Sequence, residues 1–187
     1  VKIIHPKNLN ELLQTIKMRL AFFGGTFNPP HNGHKLIINY CLRNFDKFIV
    51  IPNKVSPDKK NISIVSYKHR INMLKLLLMD DNIIIDPFEI ESKKKNYTSY
   101  TVRYLLKKYK GNSISMIIGE DQLYNLHNWY DNEFILSNIN IICFTRKLDN
   151  KNQSKDQYNV KKIDFDFPFS SSYIRELIYS NKKIKKS

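Results

Sequence analysis

Residues 19–34 read Arg19-Leu-Ala-Phe-Phe23-Gly24-Gly25-Thr26-Phe27-Asn28-Pro29-Pro30-His31-Asn32-Gly33-His34. This stretch is the strongest indication of the fold in the sequence. Its first five residues form a compact, mostly apolar run, which is typical of a buried strand. The two glycines after it let the backbone turn tightly and approach a ligand closely. Beyond His31, apolar residues recur at helical spacing up to Cys41. The sequence therefore predicts a strand, a glycine turn and a helix, in that order.

The alternation of strand and helix continues along the rest of the chain. Short apolar runs closed by Gly, Pro or polar residues predict further strands at 47–51, 83–85, 113–118, 139–144 and 161–165. Amphipathic segments predict helices over 8–17, 66–79, 99–109, 121–136 and 170–180, and residues 149–156 are expected to form a polar loop. This order indicates an α/β, Rossmann-like, doubly wound fold with a mainly parallel sheet of five to six strands.

The chain of 187 residues is long enough for one such domain and too short for two of ordinary size. We predict a single domain over residues 19–187, preceded by a helical extension over residues 1–18. In doubly wound sheets, ligands bind where strands end and helices begin, near the point where the strand order reverses. Gly24, Gly25 and Gly119 fall at such strand ends, so we expect the ligand site there.

Composition excludes several classes of protein. The apolar fraction of 42% is that of a globular domain, and no run approaches the roughly eighteen apolar residues that cross a bilayer. The first twenty residues lack the apolar core and cleavage site of a signal peptide. Cys41 and Cys143 lie far apart in apolar runs, which indicates buried free thiols in a reducing compartment. We expect a cytoplasmic protein with no membrane partner, the nucleus being the alternative compartment.

The net charge of +14 raises the alternative of a nucleic-acid-binding module. Much of the excess lies in lysine clusters at 93–95, 182–183 and 185–186, without spaced aromatic residues on which bases could stack. The abundance of Lys, Asn and Ile is also what an AT-rich coding sequence produces. A solvated basic surface is the favoured interpretation, and general attraction of anionic substrates is the second.

The histidines of the opening stretch lie where a helix is predicted to begin. Backbone N–H groups and the helix dipole favour an anion at that place. The imidazoles of His31 and His34 can add hydrogen bonds to phosphate oxygens. The alternative is a glycine-rich turn with incidental histidines.

A second polar segment opens the last predicted helix and reads Phe169-Ser170-Ser171-Ser172-Tyr173-Ile174-Arg175-Glu176. Serine hydroxyls at this place can cap the helix. They can instead bind phosphate together with Arg175, whose guanidinium is a planar fork of donors. Capping is the competing interpretation for the serines.

Three more segments carry polar or aromatic side chains next to predicted strands and helices. Gly119-Glu120-Asp121 ends a strand and opens a helix, which Asp121 can cap, and the single tryptophan follows at position 129. Tyr97-Thr98-Ser99-Tyr100-Thr101 opens another helix. Residues 52–60 form a lysine-rich loop. Helix capping, core packing of Trp129 and a solvated loop are the respective structural alternatives.

Together these segments resemble a known family. The stretch from Gly24 to His34 resembles the signature of nucleotidylyltransferases with an HxGH motif. Its Gly-Gly-Thr-Phe start is similar to that of bacterial-type nicotinate mononucleotide adenylyltransferases. The serine–arginine segment resembles that family's Ile-Ser-Ser-Thr-x-Ile-Arg element. The five motifs occur in the family's order over roughly residues 19–178.

The resemblance implies a role for each motif. Catalysis is expected from three side chains that hold the ATP phosphates: His31, His34 and Arg175. The rest of the ATP site is expected to consist of Gly24, Gly25, Thr26, Phe27, Gly33, Gly119, Asp121, Ser170 and Ser172. The mononucleotide is expected to contact Thr98, Trp129, Tyr130 and Lys59. Asp58 stands where the family usually has His, which puts the contribution of this loop in question.

The activity implied by the resemblance is adenylyl transfer from ATP to nicotinate mononucleotide, with Mg²⁺ arriving with ATP and no fixed metal site in the protein. ATP and the mononucleotide are the expected partners, nucleic acid is disfavoured, and self-association is left open. The nearest alternatives are pantetheine-phosphate and choline- or glycerol-type nucleotidylyltransferases. The Gly-Gly-Thr-Phe start, Thr98 and Trp129 argue against them. A basic nucleic-acid-binding module is the alternative of another class.

Overall fold

The computed structural model describes residues 17–54, 65–92, 95–145, 158, 160–165, 167–168 and 170–180. Within them, strands and helices alternate as the sequence predicts. The strands are β1 (Arg19–Gly25), β2 (Lys47–Pro52), β3 (Ile83–Ile85), β4 (Ser113–Gly119), β5 (Asn140–Thr145) and β6 (Lys161–Asp164). The α-helices are α1 (Asn32–Leu42), α2 (Tyr67–Leu77), α3 (Phe88–Glu91), α4 (Thr98–Lys108), α5 (Glu120–Asn125), α6 (Asn132–Asn138) and α7 (Ser171–Tyr179).

The six strands form one sheet in the order β3-β2-β1-β4-β5-β6, and every neighbouring pair is parallel. The predicted fold class is therefore confirmed. The order reverses between β1 and β4, which places the switch point of this doubly wound sheet at the glycine turn after β1. Gly25 pairs with Pro52 and Gly119 with Phe144, so these carboxyl ends lie along one edge.

Both faces of the sheet are covered, which explains why the central strands read as continuous apolar runs. Leu20 and Phe22 of β1 belong to a cluster with Val102 and Leu105 of α4. Ala21 points to the opposite face, into a second cluster with residues of α1 and α2. The two cysteines are free and buried, as predicted, and burial raises the pKa of each thiol to about 12.

The prediction of one helix over residues 121–136 is wrong. Helix α5 passes into a turn of 3₁₀ helix over Leu126–Asn128, and α6 begins only at residue 132. Between them, Trp129 is extended and Asp131 is left-handed, with φ of 57°. Leu123 and Leu126 are buried three residues apart, and no Gly or Pro occurs in residues 121–136, so the sequence contains no strong helix breaker at the break.

Helix α3 is not predicted by the sequence, because a single turn is too short to show helical periodicity. The predicted N-terminal helix lies outside the described residues apart from Lys17, which is not helical. The predicted polar loop over 149–156 also lies outside them. None of the helices in the described part of the chain has the length and apolarity to cross a membrane.

Candidate active site

Two neighbouring cavities open at the carboxyl edge of the sheet, on the glycine turn after β1 and the end of β4. The larger has a volume of about 620 Å³ and is lined by the turn, the start of α1, the start of α5 and part of α7. The smaller has a volume of about 250 Å³ and lies towards the start of α4 and the Trp129–Tyr130 segment. Both are bordered by Gly24, Gly25 and Gly119, where the strand ends predicted a site.

His31 and His34 form a reciprocal cap at the start of α1. Nδ1 of His31 accepts a hydrogen bond from the backbone N–H of Gly33, and Nδ1 of His34 accepts one from the backbone N–H of His31, each at 3.1 Å. A ring nitrogen that accepts cannot carry the proton, so the neutral form of each imidazole holds its proton on Nε2. The two rings line the larger cavity with centroids 3.8 Å apart, and each brings an N–H donor to the site.

Close packing around the turn orients these imidazoles. A Cβ on Gly33 would lie 2.9 Å from Cε1 of His31 and 2.5 Å from the ring of Phe167, so only glycine fits. Phe167 lies parallel to the His31 ring, and Phe27 packs edge-on against His34. Phe27 has a φ of 49°, which is rare for a bulky side chain and marks a sharp reversal after β1. The turn is thus shaped by side chains that also line the larger cavity.

Arg175 joins α7 to the glycine turn. Its Nη1 donates to the backbone oxygen of Asn28 at 2.7 Å, and its Nη2 donates to Oγ of Ser172 at 3.0 Å. The guanidinium lines the larger cavity with His31 and His34, so the structure brings the three predicted catalytic residues together.

The three serines at the start of α7 have different hydrogen-bond partners. Ser170 is the N-cap, and its Oγ accepts from the backbone N–H of Tyr173 at 3.1 Å. Ser171 lines the cavity instead, with its Oγ donating to the backbone oxygen of Pro29 at 2.9 Å. Neither Ser170 nor Ser172 is among the cavity-lining residues. Ser171 belongs to the quoted motif but has no predicted role, because the motif does not show which face of α7 meets the cavity.

Gly119 and Asp121 also line the larger cavity, together with Gly24 and Thr26 of the turn. A Cβ on Gly119 would stand 2.7 Å from Oδ1 of Asp121, so the exposed carboxylate of Asp121 would have to rotate away. Glu120 lines the cavity next to Asp121 and has no role assigned from the sequence. Within the described residues, no group of three or more His, Cys, Asp or Glu is arranged to hold a metal ion.

The smaller cavity collects the residues predicted for the mononucleotide: Thr98, Trp129 and Tyr130. Trp129 is half-buried and packs against the core cluster under α4, so it serves the core and the cavity together. Tyr130 stacks on Tyr97 with ring centroids 4.6 Å apart.

The Trp129–Tyr130 segment is anchored to α4 by Arg103. Its Nη2 lies 2.6 Å from Oδ2 of Asp131, and its guanidinium covers the ring of Phe134. Arg103 thus connects α4, which carries Thr98, to the Trp129–Tyr130 segment, and both line the smaller cavity. Lys59 lies outside the described residues, so its predicted role stays a prediction.

Two charged residues at or near the cavities are missed by the sequence analysis, and the first is the buried Arg70 on α2. Its guanidinium is 1% exposed and donates to the backbone oxygens of Thr26, Lys54 and Val65. It therefore ties the glycine turn to both residues that flank 55–64, and burial lowers its pKa. Its position among the apolar residues of α2 is the signal that the sequence offers.

Glu89, on α3, is the second missed residue, and it lines the smaller cavity. Its Oε1 accepts a hydrogen bond of 2.6 Å from the hydroxyl of Thr101, which is buried one turn after Thr98. Burial raises the pKa of this carboxyl above its usual value, and the Thr101 bond opposes the rise. The cavity wall thus carries an acid that is more readily protonated than a surface glutamate.

Comparison with known proteins identifies the family of this chain and agrees with its fold. The chain belongs to the cytidylyltransferase-like family, whose model matches residues 22–177.

Individual relatives of the chain carry a more specific name than the family does. A protein of Caldicellulosiruptor saccharolyticus is 35% identical over 181 residues, which cover 90% of each chain. A protein of Borreliella afzelii is 39% identical over 168 residues, which cover 86% of this chain and 84% of that one. Both carry the name probable nicotinate-nucleotide adenylyltransferase. The resemblance inferred from the five motifs is therefore confirmed.

Among solved structures, the nicotinic acid mononucleotide adenylyltransferase of Plasmodium falciparum, in complex with NaAD, superposes with a TM-score of 0.73. The match covers 89% of this chain and 86% of that one at 17% identity, and it concerns the fold.

Proposed function

We propose that this chain transfers the adenylyl group of ATP to nicotinate mononucleotide, forming nicotinate adenine dinucleotide and pyrophosphate. The observation that carries the proposal is the pair of cavities that meet at Gly24, Gly25 and Gly119. The larger one has the donors for a triphosphate and the room for a nucleoside. The smaller one has the aromatic wall that a pyridine ring needs.

The transfer is a direct displacement at phosphorus. A phosphate oxygen of the mononucleotide attacks the α-phosphorus of ATP and forms the new P–O bond. The bond from the α-phosphorus to the bridging oxygen breaks, and pyrophosphate leaves with that electron pair. The attacking oxygen is already anionic, so no base has to remove a proton. Catalysis then rests on positioning and on neutralising charge.

His31, His34 and Arg175 supply that neutralisation at the larger cavity. The Nε2–H groups of the two imidazoles donate to phosphate oxygens, while the cap bonds at Nδ1 fix the ring planes. Arg175 adds a permanent positive charge beside the same turn, where it is held by its bond to the backbone oxygen of Asn28. Mg²⁺ arrives as part of the Mg–ATP substrate and leaves with pyrophosphate.

In the larger cavity, the phosphates lie on residues of the glycine turn and the start of α1, namely Gly24, Gly25, Thr26, Phe27 and Gly33. The nucleoside end is next to Gly119 and Asp121. Ser171 replaces Ser170 and Ser172 as the serine that reaches this cavity. Ser170 serves as the helix cap, and Ser172 supports the Arg175 fork.

The smaller cavity favours the acid form of the acceptor over the amide. A carboxylate accepts stronger hydrogen bonds than a neutral amide from donors such as the hydroxyl of Thr98. An ionised Glu89 would oppose this preference, because it repels a carboxylate and accepts from an amide N–H₂. Burial raises the pKa of Glu89 above its usual value, so the opposition is weaker than that of a surface glutamate.

Pyrophosphate release with a panel of nucleotides and acceptors tests the proposal. We expect release with ATP and nicotinate mononucleotide, with a higher kcat/KM than for the nicotinamide form. Release with phosphopantetheine, or with CTP and choline phosphate, would assign the chain to another branch of the superfamily. A nucleic-acid-binding module would release no pyrophosphate and would bind nucleic acid with an affinity that falls steeply with salt.

A further inference from the structure

The guanidinium of Arg70 is a buried positive charge without an ionic partner in the part of the chain that the structure describes. Arg70 is 1% exposed, and its hydrogen bonds go to three backbone oxygens, those of Thr26, Lys54 and Val65. The three ion pairs found among the described residues involve other cations. Carbonyl oxygens carry no net charge, so they satisfy the N–H donors of Arg70 and leave its charge unbalanced.

This charge persists at neutral pH. Burial lowers the pKa of Arg70, but an arginine keeps its proton in proteins because its ordinary pKa lies far above 7. Folded proteins normally pair a buried charge, since its removal from water is costly. Arg70 therefore lacks, among the described residues, the anion that would balance it.

Arg70 lies behind the glycine turn. It lines neither cavity, yet its Nη1 donates to the backbone oxygen of Thr26, which lines the larger one. A phosphate bound on the cavity side of the turn would be separated from the guanidinium by one peptide group and two hydrogen bonds, or roughly 8–10 Å. Salt screens the interaction of buried charges much less than that of exposed ones. The field of Arg70 therefore reaches the larger cavity although its atoms do not.

We infer that Arg70 is an electrostatic determinant of phosphate binding, whose charge attracts the phosphates of ATP from behind the glycine turn and is balanced by them. The inference rests on the proposed function for the identity of the ligand. His31, His34 and Arg175 act by direct hydrogen bonds, whereas Arg70 touches no substrate and acts through its field. It is thus a positioning residue, and its charge is fixed in place before the ligand arrives.

Two substitutions that differ in charge test the inference. Arg70→Lys keeps the positive charge and Arg70→Gln removes it, while both retain N–H donors and lose the planar fork that reaches three carbonyls. Arg43→Gln is the matched control for net charge, because Arg43 is exposed at the end of α1 and lines neither cavity.

For the wild type and each variant we would measure the thermal midpoint and, by calorimetry without Mg²⁺, the binding of ATP and of adenosine. Adenosine has no phosphate, so its affinity reports damage to the site that is unrelated to charge. The measurements are made at pH 6.5, because a buried lysine loses its proton more readily than an arginine does.

We expect Arg70→Gln to weaken ATP by about 10-fold or more and adenosine by less than about threefold. At 9 Å, one pair of unit charges is worth a factor of about 2 in water and about 20 at an effective dielectric constant of 20. Arg70→Lys should bind ATP within about threefold of the wild type, although the thermal midpoint falls in both variants. Arg43→Gln should bind both ligands as the wild type does, since a surface charge is screened.

Three results would overturn the inference. Equal weakening of ATP by Arg70→Lys and Arg70→Gln would mean that the hydrogen bonds of Arg70 matter and its charge does not. Equal loss of ATP and adenosine affinity in Arg70→Gln would indicate general damage to the site. Unchanged ATP binding by Arg70→Gln would show that the charge is already balanced within the protein.

The proposed function has a separate readout, which is pyrophosphate release by the wild-type protein with ATP and nicotinate mononucleotide. If the wild type bound ATP and released no pyrophosphate, the proposed transfer would fail. The comparison of Arg70→Lys with Arg70→Gln would still decide the role of Arg70.

Discussion

His31 and His34 form a reciprocal cap at the start of α1. The Nδ1 of His34 accepts a hydrogen bond from the backbone N–H of His31 at 3.1 Å, and the two ring centroids stand 3.8 Å apart. Each imidazole therefore uses Nδ1 for the fold, so Nε2 is the nitrogen that can donate to a ligand. Substitution of either residue acts on stability and on activity at once. Suitable variants separate the two effects.

His34→Ala should lower kcat about 10²-fold or more, because a donor to the transition state is lost. It should also destabilise the protein by about 0.5–2 kcal/mol, since the side chain forms half of the cap. His34→Glu keeps the reciprocal cap and replaces the donor with a negative charge. We expect His34→Glu to unfold at the same temperature as the wild type and to be at least as inactive as His34→Ala. Wild-type turnover in either variant would remove His34 from the site.

Gly33→Ala should reduce activity more than stability. The added methyl group would overlap the Phe167 ring and approach Cε1 of His31, so the imidazole must move. Alanine is also the better helix former by about 1 kcal/mol, which offsets part of the strain. We expect kcat to fall at least about 10-fold, since a donor displaced by an ångström loses its effect. Substituting Phe167→Leu in the same chain should restore part of it, and equal kcat in Gly33→Ala and wild type would contradict the packing argument.

Trp129→Ala should weaken the mononucleotide more than ATP, because Trp129 lines only the smaller cavity. Stacking on an aromatic side chain is worth about 1–3 kcal/mol per base in comparable sites, which sets the expected loss. Trp129 also packs on the core, so some thermal destabilisation should accompany it. Trp129→Phe keeps an aromatic face and should recover most of the affinity. Equal weakening of both substrates in calorimetry would mean that the core role dominates.

Arg70→Met should destabilise the protein by about 2–4 kcal/mol, because it leaves the oxygens of Thr26, Lys54 and Val65 without their buried donor. Arg70→Lys retains fewer of these bonds and should fall between Met and wild type. Urea unfolding followed by fluorescence gives the free energies. The opposite ranking, with Met as stable as the wild type, would show that water satisfies the three carbonyls.

Glu89→Gln tests the buried acid of the smaller cavity by the pH dependence of stability. Burial raises the pKa of Glu89 in the folded protein above its unfolded value, so its contribution is full below the unfolded pKa and is lost as pH rises through the folded pKa. Glutamine cannot ionise, and its amide oxygen can still accept from Thr101. The variant should therefore unfold at a higher temperature than wild type at pH 8, with the difference vanishing near pH 4. A difference independent of pH would contradict the assignment.

Much of this molecule follows from local sequence. Strand and helix types, the parallel sheet and the glycine turn follow from short apolar runs, helical spacing and paired glycines, which are properties of neighbouring residues. The histidine pair and Arg175 are recognisable for the same reason, since each lies in a contiguous motif next to a strand or helix end. The helix break at residues 129–131 is not predicted, because no Gly or Pro marks it in the sequence.

Which polar side chains line the cavities depends on the packing of segments that are distant in the chain, and the sequence does not predict it. Ser171 lines the larger cavity while Ser170 and Ser172 do not, because successive residues of a helix point about 100° apart and the bond from Ser171 to Pro29 turns that residue towards the cavity. Arg70 and Glu89 have no role that a sequence motif assigns. The importance of Arg70 and Glu89 comes from hydrogen-bond partners as far as 44 and 12 positions away in the chain. Burial and hydrogen-bond satisfaction depend on such long-range neighbours, whereas strand and helix preferences depend mainly on near ones.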